Sequence, residues 1–174
     1  IYPVEGTISR IQDRFNPLPP TADGMAYMPP ATYQDEHGPI ELRWDYEAIR
    51  WLQDNVPGSP VILEGQAPQY RWGARVSIYT GLPTLLGYEW HQRQQRAAYG
   101  GMVDQRLADI RYLYTTTDVE ETRSRLQEYG VRYIYVGRLE RLYYPESGLA
   151  KFDRMAGEEL ELAYQNPEVR IYRV

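Results

Sequence analysis

The spacing of apolar residues divides the chain into a proline-rich first part and a periodic second part. Residues 1–40 contain seven prolines and show no sustained apolar period, which predicts an irregular lead-in. The apolar residues Met25, Tyr27 and Met28 indicate that this lead-in packs on the rest of the protein. Residues 41–174 alternate helix-like and strand-like segments, which predicts a single α/β domain.

Helix-like segments recur through the second part of the chain. Apolar residues at helical spacing predict helices at residues 45–55, 103–114, 119–129 and 138–144. Asp45 is the expected N-cap of the first helix, and Asp118 with Glu121 suits a capping box at the start of the third. Residues 89–98 also favour a helix, although they lack a strong apolar stripe.

Strand-like runs lie between these helices. The short apolar runs are residues 60–65, 84–86 and 131–137. Residues 160–174 alternate apolar and polar positions on either side of Asn166 and Pro167, which is typical of a β-hairpin. A hairpin is antiparallel, whereas strands joined through helices commonly pair in parallel. We therefore expect a three-layer α/β fold, with a mixed, mostly parallel sheet flanked by helices and a C-terminal β-hairpin.

Composition narrows the classes of function. The chain contains 17 Tyr and 4 Trp against 2 Phe, and such amphipathic rings favour half-buried positions beside water or a ligand. A formal net charge of −5 argues against a general nucleic-acid surface. The absence of cysteine from the sequence excludes disulfides, thiol nucleophiles and cysteine-based zinc sites.

The stretch TGLPTLLGYEWHQRQQR, residues 80–96, contains the densest group of polar and aromatic side chains. One interpretation is a polar cleft at the carboxyl end of a strand, where α/β sheets commonly bind ligands. The other is an exposed helix that docks on the core through Trp90. On the first interpretation the ligand- or partner-binding residues are Tyr88, Glu89, Trp90, His91, Gln92, Arg93 and Arg96.

Other candidate chemistry is weaker. The two histidines, His37 and His91, lie in different contexts and match no known metal motif, and no serine lies in a nucleophile elbow. A carboxylate pair for glycoside hydrolysis stays open, since such pairing is spatial. The sequence therefore predicts no catalytic residue, no metal and no cofactor. We also expect a surface ion-pair group from residues 138–141, formed by Arg138, Glu140 and Arg141.

Four segments resemble, in order and spacing, a known family of membrane proteins. They are DYEAIRWLQDNVPGSPVILEG, RVSIYTGLPTLLGYEWHQRQQR, DIRYLYTTTD and YGVRYIYVGRLERLYYPESGLAKF. Together they resemble the C-terminal soluble part of the YYY-type polytopic membrane proteins, whose layout is similar to that of the GT-C glycosyltransferases. The resemblance covers residues 25–174.

This resemblance implies a location and a partner. The chain would lie on the extracytoplasmic side of the cell membrane, with residues 1–40 following a membrane helix and its own transmembrane domain as partner. In GT-C enzymes the catalytic acids and the lipid-phosphate donor site lie mainly in membrane-proximal loops of the helical part, so this chain alone would be inert. The whole protein would be a polyprenyl-phosphate-dependent glycosyltransferase, and this domain would recognise an acceptor, such as a glycan or a lipid-linked sugar, or a partner.

Two alternatives remain open from the residues themselves. One is a free-standing soluble carbohydrate-binding or hydrolytic α/β domain that uses the same polar stretch. The other is a purely structural domain that stabilises a membrane part. An exposed tyrosine and tryptophan patch would favour docking on a partner, whereas a closed pocket with a strongly perturbed carboxylate or histidine would favour an enzyme.

Overall fold

The structure is a computed structural model that describes residues 3–8 and 21–174. Residues 3–8 form a short helical segment, and residues 24–30 are turns. The part of the predicted lead-in at residues 1–2 and 9–20 lies outside the described residues.

The end of the lead-in is regular, contrary to the expectation from its prolines. Strands β1 (Thr32–Asp35) and β2 (Gly38–Glu41) form an antiparallel hairpin, in which Gln34 is paired with Pro39. A two-stranded hairpin leaves half of its backbone N–H groups without a strand partner, so it tolerates a proline on its outer edge.

Helices and strands then alternate along the rest of the chain. The helices are α1 (Leu42–Asn55), α2 (Arg75–Thr80), α3 (Glu89–Gln95), α4 (Gly100–Thr115), α5 (Val119–Glu128), α6 (Arg138–Tyr143) and α7 (Glu146–Met155), with a 3₁₀ turn at Ala97–Tyr99. The strands are β3 (Val61–Leu63), β4 (Val131–Val136), β5 (Glu161–Gln165) and β6 (Arg170–Arg173). At the start of α5 the Asp118 carboxylate accepts the Glu121 N–H at 3.0 Å, which confirms this part of the predicted capping box.

The four-stranded sheet has the order β3-β4-β6-β5. Strands β3 and β4 are parallel, β4 and β6 are antiparallel, and β5 and β6 form the predicted C-terminal hairpin. The α/β class, the mixed sheet and the hairpin are thus confirmed. The expectation of mostly parallel pairing is wrong. Strand β6 of the hairpin lies beside β4, and β6 is antiparallel to both of its neighbours, β4 and β5.

Residues 84–86 do not form the expected strand. It makes a single parallel bridge between Thr84 and Ile62, with the Ile62 N–H donating to the Pro83 carbonyl at 2.8 Å. Gly81, Pro83 and Gly87 lie around this short run, and proline and glycine both weaken strand pairing.

Helices cover both faces of the sheet, as expected for three layers. Alternate residues of β4 face opposite layers: Tyr135 packs with α1 and α2, whereas Ile134 and Val136 pack with α4, α5 and α7. A further apolar cluster joins the lead-in and hairpin to α1 and α6, and its buried residues are Met25, Met28, Ile40, Leu42, Ile49 and Leu139. The predicted packing of the lead-in through its methionines is therefore confirmed.

Candidate functional site

Helix α3 holds most of the polar stretch and contributes no buried residue to the core. It begins after Tyr88, whose backbone is extended, and its tryptophan, Trp90, is 43% exposed. A helix with polar residues on every side gains little from burial. The sequence of α3 is therefore not explained by core packing, and Trp90 is not fully docked on the core as one interpretation expected.

Arg93 joins α3 to α4. Its Nε donates to Glu89 Oε1 at 2.8 Å within α3, and one of its terminal nitrogens donates to Asp104 Oδ1 of α4 at 2.6 Å. The two carboxylates neutralise the guanidinium. Of the predicted binding residues, Arg93 thus fixes the orientation of the helix rather than offering a free charge.

The start of the stretch contacts the loop that follows β3. The rings of Tyr88 and His91 lie 5.4 Å apart between centroids, and the Tyr88 hydroxyl donates to the Arg71 carbonyl at 3.4 Å. Within this loop Tyr70 and Ala74 have positive φ values of 61° and 55°. Such strained backbone in residues other than glycine is uncommon and is concentrated at binding and active sites.

A first cleft, which we call the cationic cleft, lies between α3, the start of α4 and residues 84–87. Its volume is about 540 Å³, within the usual range for small-molecule sites. Its polar lining comes from Thr84, Gln92, Arg96 and Arg106, and apolar lining comes from Leu86, Tyr99, Met102 and Val103. The stretch thus contributes Gln92 and Arg96 to a real concavity.

A second cleft, which we call the mixed cleft, lies on the other side of α4. Its volume is about 530 Å³. Its polar and aromatic lining includes Gln66, Glu89, Asp104, Arg111, Tyr143 and Tyr144. Gln66 follows β3, so this cleft opens near the carboxyl end of a parallel strand, where α/β sheets commonly bind ligands.

Exposed apolar side chains accompany the two clefts. Tyr70, Trp90, Tyr99 and Met102 are 80%, 43%, 59% and 54% exposed. We call these four residues the apolar rim, since each belongs to a segment that forms a cleft or adjoins one. Single exposed apolar residues are ordinary, but four large ones on neighbouring segments are typical of an interaction surface.

A buried ionic network joins elements that are distant along the chain. Arg75 donates from Nε to Asp45 Oδ2 at 2.8 Å and from its terminal nitrogens to both Glu140 oxygens at 2.8 and 3.2 Å. Asp45 also accepts hydrogen bonds from Trp72 Nε1 and the Tyr135 hydroxyl at 2.7 and 2.6 Å. Arg75, Asp45 and Glu140 are all buried.

Glycines at the ends of the parallel strands complete this network. The Gly65 and Gly137 N–H groups donate to the two Glu140 oxygens at 2.9 and 2.8 Å. A Cβ at Gly65 would lie 2.8 Å from Glu140 Oε1, and a Cβ at Gly137 would lie 2.9 Å from an Arg75 nitrogen. Only glycine allows the carboxylate and the guanidinium to approach both strand ends this closely.

Two sequence-based expectations are wrong at this network. Asp45 is not an N-cap, because α1 begins at Leu42 and buries Asp45 one turn later against Arg75. Glu140 is not part of a surface ion-pair group, because its carboxylate is buried between β3, α2 and α6. The apolar residues around Asp45 and Glu140 were a signal that these acids are buried. Their partner, Arg75, lies 30 positions from Asp45 and 65 positions from Glu140 along the chain.

A third buried acid, Glu64, lies beside this network. Its carboxylate accepts the Val76 and Ser77 N–H groups at the start of α2, at 2.9 and 3.1 Å. Burial raises the pKa of Glu64, while Ser77 and the charge of Arg75 oppose that rise. For Arg75 itself burial acts to lower the pKa, but the charges of Asp45 and Glu140 outweigh it and hold the pKa well above its usual value.

The structure brings the predicted binding residues together in part. Gln92 and Arg96 line the cationic cleft, and Glu89 lines the mixed cleft. Trp90 and His91 face solvent, and Tyr88 with Glu89 borders a small recess beside Gly73. Sequence reasoning missed Arg106 and Met102, which complete the cationic cleft from α4, and Tyr70 of the apolar rim.

Residues 3–8 and 21–174 contain neither a group of metal ligands nor a membrane-spanning helix. In that part of the chain no three His, Asp or Glu side chains are grouped so that they could hold a metal ion. No helix there has the length and apolar character needed to cross a bilayer. Comparison of the chain with protein-family models, with curated proteins and with solved structures gave no match.

Proposed function

We propose that this chain is an extracytoplasmic recognition domain of a polytopic, GT-C-like membrane protein and that it is not catalytic on its own. The observation that carries the recognition role is α3, a helix with no fully buried residue, which lies between two open clefts and is accompanied by the apolar rim. The membrane context comes from the resemblance to the YYY-type proteins, and through it the donor site would lie outside this chain.

The apolar rim supports docking on a protein surface. Trp90 of α3, Tyr99 of the 3₁₀ turn and Met102 at the start of α4 are exposed on consecutive segments of the chain. Aromatic and methionine side chains are enriched at the centres of protein interfaces. The partner proposed for this rim is the transmembrane part of the same protein.

The ion pairs of Arg93 support a rigid rather than an adaptable recognition element. Helix α3 is joined to α4 by the ion pairs of Arg93 with Glu89 and Asp104. Little further ordering of α3 would therefore accompany binding. Preorganisation of this kind lowers the entropic cost of association.

The test is site-specific photocrosslinking in the full-length protein in its native membrane. A crosslinking amino acid at Trp90 should capture the protein's own membrane-spanning part. The matched control is the same amino acid at Arg50, an exposed residue of α1 on the other side of the sheet, which should capture none. Equal capture from both positions, or none from Trp90, would overturn the docking proposal.

The mixed cleft supports a second role, recognition of a glycan acceptor. Carboxylates from Glu89 and Asp104, the Gln66 amide and the Tyr143 and Tyr144 rings line it, and sugar sites commonly combine such hydrogen-bonding groups with aromatic surfaces. Saturation-transfer NMR with oligosaccharides should show binding that is weakened by Arg111→Ala and unchanged by Arg50→Ala. Oligosaccharide signals that are the same for wild type and Arg111→Ala would contradict this role.

A further inference from the structure

We propose that the cationic cleft binds a small organic anion, with a phosphate or carboxylate group attached to an apolar body of about the size of one ring. This inference adds a ligand class to the recognition role proposed above and rests on that role only in using the same stretch of chain. It concerns Gln92, Arg96, Met102 and Arg106.

The charge of the cleft is one-sided. Arg96 and Arg106 line it, and no carboxylate among the described residues does. The chain as a whole is acidic, with a formal net charge of −5, so this local excess of positive charge is not a general property of the surface. Guanidinium groups bind phosphate and carboxylate groups through paired N–H donors.

The two arginines differ from Arg93, three residues before Arg96. Arg93 is paired with Glu89 and Asp104, whereas Arg96 makes no ion pair with any described residue. Arg106 donates to the Leu85 carbonyl at 2.6 Å and lies 5.8 Å from the Tyr129 ring centroid. A guanidinium has five N–H donors, so this one backbone contact holds Arg106 in place and leaves donors for an anion.

Neutral groups of the cleft supply hydrogen bonds and apolar contact. The Gln92 side chain lines the cleft beside Gly87, where a Cβ would lie 3.6 Å from the Gln92 amide nitrogen. The buried Thr84 hydroxyl on the cleft wall has no hydrogen-bond partner among the described residues. Leu86, Val103 and the exposed Met102 form the apolar part, so a ligand that is only an anion would leave that surface uncovered.

The size of the cleft limits the ligand. A volume of about 540 Å³ accommodates a ring with its anionic group but not a folded partner, which would contact the exposed side chains of the apolar rim, including Tyr99 and Met102 at the edge of the cleft. Because the cleft is open, the apolar contact must add to the charge interaction for useful affinity. The ligand must therefore carry both features.

Methionine methyl NMR tests the proposal on the 174-residue chain. The sequence has four methionines: Met102 is exposed in the cleft, while Met25, Met28 and Met155 are buried elsewhere. Phenyl phosphate, the probe, should shift the Met102 methyl signal saturably and leave the other three in place. A Met102→Leu variant assigns the signal.

Variants and matched probes make the test specific. Arg96→Ala should raise the Kd for phenyl phosphate roughly tenfold, which is about 1.4 kcal/mol, and Arg50→Ala should leave it unchanged. Inorganic phosphate and phenol should each bind at least about tenfold more weakly than phenyl phosphate.

Each contrary result overturns a stated part of the proposal. No saturable shift of Met102 up to about 10 mM probe, or the same Kd for Arg96→Ala as for wild type, excludes the site. If inorganic phosphate binds as tightly as phenyl phosphate, the apolar part of the ligand class is excluded. If phenol binds as tightly as phenyl phosphate, the anionic part is excluded. The photocrosslinking test needs no small ligand, so docking and anion binding can fail independently.

Discussion

Arg75 is the residue at which the buried carboxylates of Asp45 and Glu140 meet. Its guanidinium lies between Asp45 of α1 and Glu140 of α6. The Glu64 carboxylate accepts the Val76 N–H at the start of α2, the helix that carries Arg75. A buried ion pair adds little net stability over a well-packed apolar pair, but removing one partner leaves the other charge uncompensated. The network therefore specifies how α1, α2 and α6 meet the strand ends, and it tolerates substitution poorly.

Glu140→Gln tests this residue-scale conclusion. Each Glu140 oxygen accepts one backbone N–H and one Arg75 nitrogen, so an amide NH₂ in place of either oxygen would face donors. We expect a loss of about 3–5 kcal/mol in the free energy of unfolding, measured by urea denaturation. Glu128→Gln, the same change at an exposed site of α5, should cost less than about 0.5 kcal/mol, and equal losses would contradict the role given to the network.

Lys151 is buried and is the source of a second residue-scale effect. Its ammonium donates to the Leu113 carbonyl and, at 3.0 Å, to the Gly148 carbonyl, and it lies 4.1 Å from the centroid of the Phe152 ring. Burial, with a smaller contribution from the charge of Arg154, lowers the pKa of Lys151 to about 7.

The lowered pKa of Lys151 predicts a pH dependence of stability. Between pH 7 and the ordinary lysine value of 10.5, the unfolded chain binds more protons at this residue than the folded chain does. The free energy of unfolding should therefore rise with pH across this window, by at most about 5 kcal/mol from this residue. Lys151→Met keeps the volume and removes the charge, so its unfolding free energy, measured in urea at several pH values, should lack this rise.

Comparison of the wild type with Lys151→Met separates the effect of Lys151 on the unfolding free energy from that of tyrosine ionisation, which occurs in both proteins. Burial also raises the pKa of Tyr144, to about 12, and that effect appears in both profiles. Parallel profiles for wild type and variant between pH 7 and 10.5 would mean that Lys151 keeps its proton on folding.

At the scale of elements, close contact between helices decides the arrangement around the clefts. Helix α4 forms one wall of both clefts, and its last turn is held against α7 at Gly148. A Cβ at Gly148 would lie 2.3 Å from the Tyr114 carbonyl oxygen and 2.7 Å from that of Thr115. Both neighbours are backbone atoms, so the helices would have to separate.

We therefore expect Gly148→Ala to cause a large loss of stability, although it adds only one methyl group. We expect at least about 2 kcal/mol from the forced separation of α7 and α4, measured as a lowered midpoint of thermal and urea unfolding. Gly101→Ala is the control, because a Cβ there meets nothing within 4 Å and alanine favours a helix over glycine by up to about 1 kcal/mol. The two variants should move the midpoint in opposite directions, and a neutral or stabilising Gly148→Ala would contradict the contact.

At the scale of the whole molecule, the lead-in shares one hydrophobic cluster with elements of the α/β part. Met25 and Met28 pack with Ile40, Ile49 and Leu139, which belong to the hairpin, α1 and α6. The same two helices contribute Asp45 and Glu140 to the buried network. The lead-in should therefore unfold together with the sheet.

Met28→Ala tests that cooperativity. Truncation of this fully buried side chain should cost about 2–5 kcal/mol and lower the unfolding midpoint of the whole protein in a single transition. Val4→Ala, at an exposed residue of the lead-in, should leave the midpoint unchanged. A separate early transition for Met28→Ala, with the sheet unaffected, would show that the lead-in is an independent unit.

The sequence by itself determined the order and type of most elements. Apolar periodicity identified α1, α4, α5, β4 and the C-terminal hairpin, because each buries one face whose spacing is fixed by its own backbone geometry. It also identified α3 as helical and lacking an apolar stripe. It failed at residues 84–86 and at the share of parallel pairing, because strand pairing depends on which neighbours the fold supplies.

Only the tertiary structure decided which polar residues are buried and which are free to bind. Arg93 and Arg96 look equivalent in the sequence, yet Asp104 of α4 neutralises the first and the cationic cleft receives the second. Asp45 and Glu140 look like surface acids, yet Arg75 lies between them. The charge and hydrogen-bonding capacity of a side chain are set by its identity, but its environment is set by partners that are distant along the chain and are brought close only by folding.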